Sequence, residues 1–405
     1  MKFIHSADWQ LGARFSQFGE KGAVLREARL TTLQRTLDHA RDQSVDAFLI
    51  AGDLFEDNQV GDDLVRRVVE LFSSHSSLPI FLLPGNHDPF TGPDCVWQRA
   101  AFARAGANVR VLREAEVVDL GGAFLVASPL HQKKSTIDPS LKLAGLAKDL
   151  PRDAIKIGMT HGALAIEGKH QPNDFPIALN AASRAGLDYL AIGHWHGWLA
   201  DLDDGRIVMP GTPEPEAFHH EQCGLVAAVE IVAHGSAPRV SALPVATLKW
   251  REFALDLLTP DASRAAVQQQ IGELTPASSV VRVRLTGSSS PAVIAQTRSW
   301  LEGSLQPFLA SQIADGSTIA LSEMELRDLE GRHPILTQVL ADIEQLETLA
   351  TGRSAGAHPN GASPLSLTDA RAILDKAKID IAELTPEHFS LTRQVLLQVL
   401  QEAAS

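Results

Sequence analysis

The chain has 405 residues, a formal net charge of -13, 44% hydrophobic residues and 21% charged residues. This length exceeds that of one compact domain, so we expect two or three structural units, and the composition excludes a chain that is disordered throughout. The net charge lacks the basic character usual in proteins that bind nucleic acid, but it does not exclude that class, because bound divalent cations reverse the sign of an acidic cleft.

The cysteines and the N-terminal residues indicate a cytoplasmic protein without a membrane segment. Cys95 and Cys223 are the only cysteines, and they have no paired spacing typical of a zinc knuckle or a disulfide framework. The opening "MKFIHSAD" leads directly into a strand-like run without an apolar signal region, and no apolar stretch is long enough to span a bilayer.

Residues 1–245 predict an α/β layered domain. Short apolar runs such as "DAFLIAGD" and "LDYLAIGHWH" end abruptly in Gly, Asp, Asn or His, and segments of helical period, such as residues 25–43 and 62–74, lie between them. In folds of this class the loops at the carboxyl ends of strands collect ligands and catalytic groups.

Residues 246–330 predict a second, small α+β domain. Strand-like "REFALDL", "VVRVRL" and "TIALSEMEL" alternate with a helix that follows "TPDAS" and another around residues 294–301.

Residues 331–405 predict a helical tail. Two amphipathic segments, residues 335–349 and 389–400, flank a polar stretch over about 351–363 that is typical of a flexible linker. The helices could pack back on the body of the protein, but the linker favours docking on a partner.

Five motifs carry the residues that suggest chemistry, and each follows a strand-like run, so we expect them at one edge of a sheet. They are "HSADWQLG" with Asp8 and Gln10, "GDLFED" with Asp53, "GNHD" with Asn86 and His87, "THG" with His161, and "GHWH" with His194 and His196.

These residue types suit a pair of divalent cations. Two cations about 3.5–4 Å apart can clamp a phosphate, and they need a carboxylate that bridges them, for which Asp53 is the candidate. His161, His194 and Asn86 would complete one metal site, and Asp8, His196 and Gln10 the other. His194 and His196 lie two positions apart, so on an extended segment they point to the same face.

His87 and Gln10 have separate expected roles. His87 would stabilise the transition state and protonate the leaving oxygen. Gln10 would ligate through its side-chain oxygen, favouring Mn²⁺ or Mg²⁺ over Zn²⁺ with weaker affinity, or would hold a water molecule bound to the metal. We also expect Asp88 to orient His87, and His219 and His220 to be solvated or to contact phosphate.

Each motif alone has a simpler explanation. A Gly-Asp or Gly-Asn after a strand is commonly just a turn, and a single histidine such as His161 is more often a buried core residue. The complete set in this order, each member after a strand, favours a metal centre.

In this order the motifs resemble those of the calcineurin-like metallophosphoesterase superfamily. Within it, "FIHSADWQLG", "AGDLFED", "AIGHWH" and "MPGTPEPEAF" resemble the SbcD-type DNA-repair exonucleases, including the YhaO-like branch. The resemblance covers roughly residues 1–330. Gln10 departs from it, because a histidine is usual at that position.

The resemblance implies a two-layered β-sandwich core flanked by helices, a small α+β capping domain and C-terminal helices. It implies two Mn²⁺ ions held by Asp8, Asp53, Asn86, His161, His194 and His196, with His87 catalytic. It further implies a 3′-to-5′ DNA exonuclease and single-strand endonuclease that acts in DNA repair, forms a homodimer and binds an SMC-like ATPase through its C-terminal helices.

Two alternatives remain open at the sequence level. The same metal centre would serve a phosphoesterase that acts on small nucleotides or phosphoproteins, since a fold does not fix the substrate. Gln10 could instead mark a non-catalytic relative that binds DNA or the ATPase.

Overall fold

The computed structural model describes residues 1–168, 170–220, 222–320, 338–339, 341–343, 345–347 and 392. The chain divides into two compact units. The first comprises Met1–Arg251, Thr275–Val280 and Phe308–Ala310, and the second comprises Glu252–Leu274, Val281–Pro307 and the described residues from Ser311 onward. The predicted linker over 351–363 lies outside the described residues, as does most of the two predicted tail helices.

Strands and helices alternate through most of the chain. The strands are β1 (Lys2–Ser6), β2 (Ala47–Ile50), β3 (Ile80–Leu82), β4 (Val109–Val111), β5 (Glu116–Asp119), β6 (Ala123–Ser128), β7 (Ile155–His161), β8 (Tyr189–Gly193), β9 (Leu199–Leu202), β10 (Ile207–Met209), β11 (Leu225–Glu230), β12 (Arg239–Pro244), β13 (Lys249–Asp256), β14 (Ser279–Thr286), β15 (Ser288–Ser289), β16 (Ala310–Asp315) and β17 (Thr318–Ile319). The α-helices are α1 (Lys21–Asp42), α2 (Asp62–Ser74), α3 (Ala100–Ala103), α4 (Leu141–Ala147), α5 (Ala181–Arg184), α6 (Pro260–Gly272) and α7 (Pro291–Leu305).

Two six-stranded sheets form the first unit. Their strand orders are β12-β11-β1-β2-β3-β4 and β5-β6-β7-β8-β10-β9. Strands β1 to β4 are parallel to one another, and so are β6, β7 and β8. The carboxyl ends of these strands therefore lie at one edge of each sheet.

Apolar side chains pack between the two sheets and on both of their outer faces. The inner layer includes Phe3 and Leu49 from the first sheet and Ile157 and Tyr189 from the second, all fully buried. Helices α1 and α2 cover the outer face of the first sheet, and α4 and α5 cover that of the second. The predicted α/β fold, a two-layered β-sandwich flanked by helices, is confirmed.

The helix predictions over 25–43 and 62–74 correspond to α1 and α2, because both carry an apolar stripe at helical spacing. In α1 the buried face includes Leu30, Leu33 and Leu37, and in α2 it includes Val65 and Phe72.

The second unit is a small α+β structure. Strands β13, β14 and β16 form a sheet in that order, and β15 pairs with β17. The Glu252 carboxylate accepts hydrogen bonds from Arg282 and Arg284, and Arg264 of α6 donates to Thr297 of α7. Strand β16 was not predicted. The strand predicted at "TIALSEMEL" begins with β17, and its residues from 321 onward lie outside the described residues.

In the part of the chain that the structure describes, no helix has the length and hydropathy of a membrane span.

Candidate metal centre

The strand ends of the two sheets meet at one rim. The backbone N–H of His194 after β8 donates to Asp8 Oδ2 after β1 at 3.0 Å. His161 at the end of β7 donates through Nδ1 to the carbonyl of Ala51 after β2 at 2.8 Å. These hydrogen bonds bring the loops of the two sheets together, as the motif order predicts.

Asp53 lies at the middle of the rim. Its Oδ2 is 3.3 Å from His161 Nε2 and accepts a 3.3 Å hydrogen bond from Gln10 Nε2. Its Oδ1 accepts a 2.9 Å hydrogen bond from the backbone N–H of His87. Donor atoms of Asp8, Asp53 and His161, all buried, lie within 4.8 Å of one another and could hold a metal ion.

A second group of donors gathers around Asn86. Its Oδ1 is 2.8 Å from His161 Nε2 and 3.0 Å from His194 Nδ1. His161 therefore belongs to both groups, and Asp53 lies beside it. The structure thus brings together the sequence-predicted residues Asp53, Asn86 and His194 through His161.

His196 reaches the same region but makes a contact that the sequence did not predict. Its charge interacts with that of Asp8, yet its Nδ1 lies 2.9 Å from Glu216 Oε1. Its ring also stacks edge-on against His220, with ring centroids 4.7 Å apart.

His87 is fixed by the main chain. Its Nδ1 donates to the carbonyl of Glu56 at 2.9 Å, which leaves Nε2 as the nitrogen that faces other partners.

Asp88 does not have the role that the sequence led us to expect. Its buried carboxylate accepts from the backbone N–H groups of Phe55 at 2.9 Å and Gly85 at 2.8 Å, so it joins two loops of the rim.

Burial and charge shift the pKa values of the rim in opposite directions. Burial lowers the pKa of His161, but the Asp53 charge and hydrogen bond outweigh burial and raise that pKa to about 9. Burial acts to raise the pKa of Asp53, but His161 and His87 hold it well below its usual range. Burial raises the pKa of Asp8, and the charges of His161 and His196 oppose that rise. Such perturbation by burial and specific charges is typical of functional sites.

Two buried oxygen atoms of the rim have no hydrogen-bond partner among the residues that the structure describes. They are Asp8 Oδ1 and Gln10 Oε1, in side chains that are 0% and 1% exposed. A buried polar group left without a partner costs about 1–3 kcal/mol. A divalent cation satisfies such oxygens, and the mixture of carboxylate, amide and imidazole donors suits Mn²⁺, Fe²⁺ or Zn²⁺. The residues present therefore fit a bound metal.

The backbone of the rim adopts conformations that are rare for residues other than glycine. Asp8, Gln10 and Asp53 have φ values of 54°, 43° and 53°, and His194 has φ 135°. Each such residue costs on the order of 1–3 kcal/mol, and residues of this kind cluster at functional sites. Gly52 allows the loop after β2 to approach His161 closely, because a Cβ at that position would lie 2.1 Å from His161 Nδ1.

Asp174 is a residue of the centre that the sequence did not predict. Its Oδ2 lies 2.9 Å from His194 Nε2, so it fixes the ring of His194 with Nδ1 directed at Asn86. No local signal marks Asp174, because no recognisable motif surrounds it in the sequence.

Arg29 was also missed, because it lies within the apolar stripe of α1. Its guanidinium is 1% exposed and donates to the carbonyl of Trp9 at 2.7 Å and that of Glu214 at 2.8 Å. It therefore ties the loop that bears Asp8 and Gln10 to the "PGTPEPEAF" segment.

His220 is less solvated than the sequence led us to expect, and the alternative that it contacts phosphate stays a prediction. His220 is half-buried, and its Nδ1 lies in a space closed to solvent beside His196 and Glu216. Burial lowers its pKa to about 4, and the charge of His196 acts in the same direction. His219 is exposed.

Residues 1–198 match the family described as "Calcineurin-like phosphoesterase". The chain is 30% identical over 91 residues to the D subunit of the nuclease SbcCD from Staphylococcus saprophyticus, which covers 22% of this chain and 23% of that protein. It is 25% identical over 231 residues to "DNA double-strand break repair protein Mre11" of Methanopyrus kandleri, covering 54% of this chain and 50% of that protein. The chain thus spans half or less of the length of these curated relatives.

A solved structure, that of TT1561 from Thermus thermophilus, aligns with 52% of this chain and 89% of its own at 13% identity and a TM-score of 0.37. That score supports no conclusion about the site. The superfamily resemblance is confirmed by the family match and the two curated relatives. The match to the calcineurin-like phosphoesterase family thus covers the first 198 of the 405 residues.

Proposed function

We propose that the protein is a metal-dependent phosphodiesterase of the nuclease type that hydrolyses DNA with two Mn²⁺ ions. The observation that carries the proposal is the position of Asp53 between two groups of donors. The donor atoms of Asp8, Asp53 and His161 lie within 4.8 Å of one another, and Asp53 Oδ2 is 3.3 Å from both Gln10 Nε2 and His161 Nε2. His161 in turn lies 2.8 Å from Asn86 Oδ1, which is 3.0 Å from His194 Nδ1. A carboxylate so placed is the bridge that a two-metal site needs.

In this proposal Asp53 is shared, Asn86, His161 and His194 complete one site, and Asp8, Gln10 and His196 complete the other. When bound, the two cations supply Lewis acidity, which activates water for in-line attack and offsets the charge of the phosphate. His161 and His194 present fixed nitrogens, because Ala51 and Asp174 hold the opposite side of each ring.

His87 is the proposed proton donor to the leaving oxygen. Its Nδ1 is bonded to the Glu56 carbonyl and its backbone N–H to Asp53, so the ring stands next to the bridging carboxylate with Nε2 free for a substrate oxygen. General acid catalysis of this kind is worth about 10²–10⁴-fold in rate.

The test is His87→Ala, compared with His219→Ala, a substitution of an exposed histidine. We expect His87→Ala to lower Mn²⁺-dependent cleavage of DNA by about 10²–10⁴-fold while DNA binding and metal content stay unchanged. His219→Ala should cleave at the parental rate. A His87→Ala protein as active as the parent would remove His87 from this role.

DNA is proposed as the substrate because both curated relatives are described as a nuclease or a break-repair protein. The alternative is a phosphodiesterase for small nucleotides or phosphoproteins. Single-stranded or forked DNA should be degraded with Mn²⁺ while bis-p-nitrophenyl phosphate is hydrolysed slowly. Rapid hydrolysis of the small ester without DNA cleavage would favour the alternative.

We further propose the 3′-to-5′ exonuclease and single-strand endonuclease activities, a homodimer, and an SMC-like ATPase partner in the cytoplasm. These follow from the SbcD-type resemblance alone.

A further inference from the structure

We propose that His196, Glu216 and His220 form an additional binding site for a divalent cation of the zinc class, beside the centre around Asp53. Each of these three side chains offers one donor atom, and the three atoms lie within 4.8 Å of one another. This site goes beyond the proposed nuclease function, which uses neither Glu216 nor His220.

The carboxylate of Glu216 is held with one oxygen facing the histidines. Its Oε2 is 3.8 Å from Arg29 Nη2, while its Oε1 is 2.9 Å from His196 Nδ1. The buried guanidinium thus attracts one oxygen of Glu216, and the other oxygen faces His196, where a cation would take the place of the proton between Oε1 and Nδ1.

The segment that bears Glu216 is itself fixed. Arg29 donates to the carbonyl of Glu214, and the carboxylate of Glu214 accepts from the backbone N–H groups of Thr247 at 2.8 Å and Leu248 at 3.1 Å. Because the main chain beside Glu216 is held from both sides, its carboxylate is placed before any ion arrives.

Glu216 could serve only to orient His196, but that role would leave His220 unexplained. The Nδ1 atom of His220 is closed to solvent and has no hydrogen-bond partner among the described residues. Its ring stands 4.7 Å from the ring of His196. A cation shared with His196 and Glu216 gives this nitrogen the partner that it lacks.

Two imidazoles and one carboxylate are a donor set that zinc takes in proteins, with a fourth position left for water or another ligand. Donors about 2.1 Å from a tetrahedral ion lie roughly 3.4 Å from one another. The three donor atoms now lie up to 4.8 Å apart, so small side-chain rotations would bring them to the spacing that the ion requires.

Occupancy of this site has a consequence for His196. A neutral imidazole has one nitrogen with a free lone pair, so His196 can serve one cation at a time. An ion between His196 Nδ1 and Glu216 therefore withdraws His196 from the Asp8 side of the centre. This consequence, unlike the site itself, rests on the proposed function.

The test measures Zn²⁺ bound per chain by equilibrium dialysis and elemental analysis of the full-length, initially metal-free protein. The variants are His220→Gln, Glu216→Gln and Asp8→Asn, with His219→Gln as the matched control from the adjacent position. In the Asp8→Asn background, where His196 serves no second cation, we expect His220→Gln and Glu216→Gln each to remove one Zn²⁺ per chain, and His219→Gln to remove none.

Asp8→Asn distinguishes this site from the proposed nuclease centre. In that background, adding His220→Gln should still remove one Zn²⁺, whether or not the centre around Asp53 binds metal. Should Glu216→Gln fail to fold because Arg29 loses its partner, His220→Gln, at a half-buried position, decides alone. Zn²⁺ binding by the Asp8→Asn, His220→Gln double variant equal to that of Asp8→Asn alone would overturn the proposal.

Discussion

At the scale of single residues, Gln10 stands at the position where the family resemblance leads us to expect a histidine. Its Nε2 donates to Asp53 Oδ2, and its Oε1 is buried with no partner in the described part of the chain. The amide N–H of Gln10 therefore competes with a cation for the carboxylate of Asp53, the proposed bridge. The only ligand that Gln10 itself offers the cation is a neutral oxygen. Such an oxygen is a harder donor than imidazole, so it favours Mn²⁺ or Mg²⁺ and lowers affinity for the first metal.

Replacing Gln10 with histidine tests this account. We expect the Gln10→His protein to retain one more metal ion per chain than the parent after dialysis against buffer without metal, because imidazole is the stronger donor. Elemental analysis measures the retained ions, and the nuclease rate at limiting Mn²⁺ should rise with them. A parent protein that already keeps two ions through dialysis would contradict the account.

Asp174 should act through His194. Its removal in Asp174→Ala frees the ring that it holds, and loss of such a partner typically lowers metal affinity by about 10–100-fold. Isothermal titration with Mn²⁺ measures the effect. The exposed Asp149 provides the control, since Asp149→Ala changes the net charge equally but should leave affinity unchanged.

The raised pKa of His161 predicts how metal binding depends on pH. Below about pH 9 the metal-free imidazole carries an additional proton, which a cation must displace. Metal affinity should therefore fall as the pH falls, by about tenfold per pH unit for one displaced proton. Titrations in two buffers of different ionisation enthalpy measure the protons released, and a metal affinity independent of pH between 6.5 and about 8.5 would contradict the assignment.

At the scale of elements, the site depends on how closely the loops after β2, β3 and β7 approach. A Cβ on Gly85 would lie 2.2 Å from Asp53 Oδ1 and 2.5 Å from Asp53 N, and a Cβ on Gly52 would meet His161. Asp88 adds hydrogen bonds to the loops after β2 and β3. Gly52 and Gly85 allow these loops to approach one another closely, and Asp88 links two of them by hydrogen bonds. The side chains on the loops are therefore held in place.

Gly85→Ala should disturb the site through sterics alone. Because backbone atoms of Asp53 cannot move aside cheaply, we expect a loss of about 1–3 kcal/mol in unfolding free energy and a large loss of metal affinity. Denaturant unfolding and metal titration measure the two effects. Gly145→Ala, in α4 where an added Cβ meets nothing within 4 Å, should show neither loss.

The sequence predicts those parts of the site that depend on local pattern. Asp53 and His161 each follow an apolar strand, so their position at the rim can be inferred from the chain alone. Asp174 and Arg29 could not be found in this way, because their partners lie 20 to 185 residues away in the sequence. His220 was misjudged for the same reason, since contacts with His196 and Glu216 bury a histidine that looks like a surface residue.

At the scale of the whole molecule, we propose that residues 1–245 carry catalysis, that residues 246–330 form a capping domain and that residues 331–405 bind a partner. Deleting residues 331–405 should spare Mn²⁺-dependent cleavage but abolish co-purification with an SMC-like ATPase. The measurements are a cleavage assay and a pull-down from cells that express both chains. Retained co-purification would place the partner's binding surface elsewhere.

The donors of the rim come from both sheets of the first unit, with Asp8, Asp53 and Asn86 after strands of one sheet and His161 and His194 on or after strands of the other. A bound ion is then a cross-link between the two layers, and the unfolded chain has no equivalent of it. Its binding energy adds directly to the resistance of the domain to opening. The metal-free domain should therefore open, and be cut by proteases, more readily than the same domain with a bound ion.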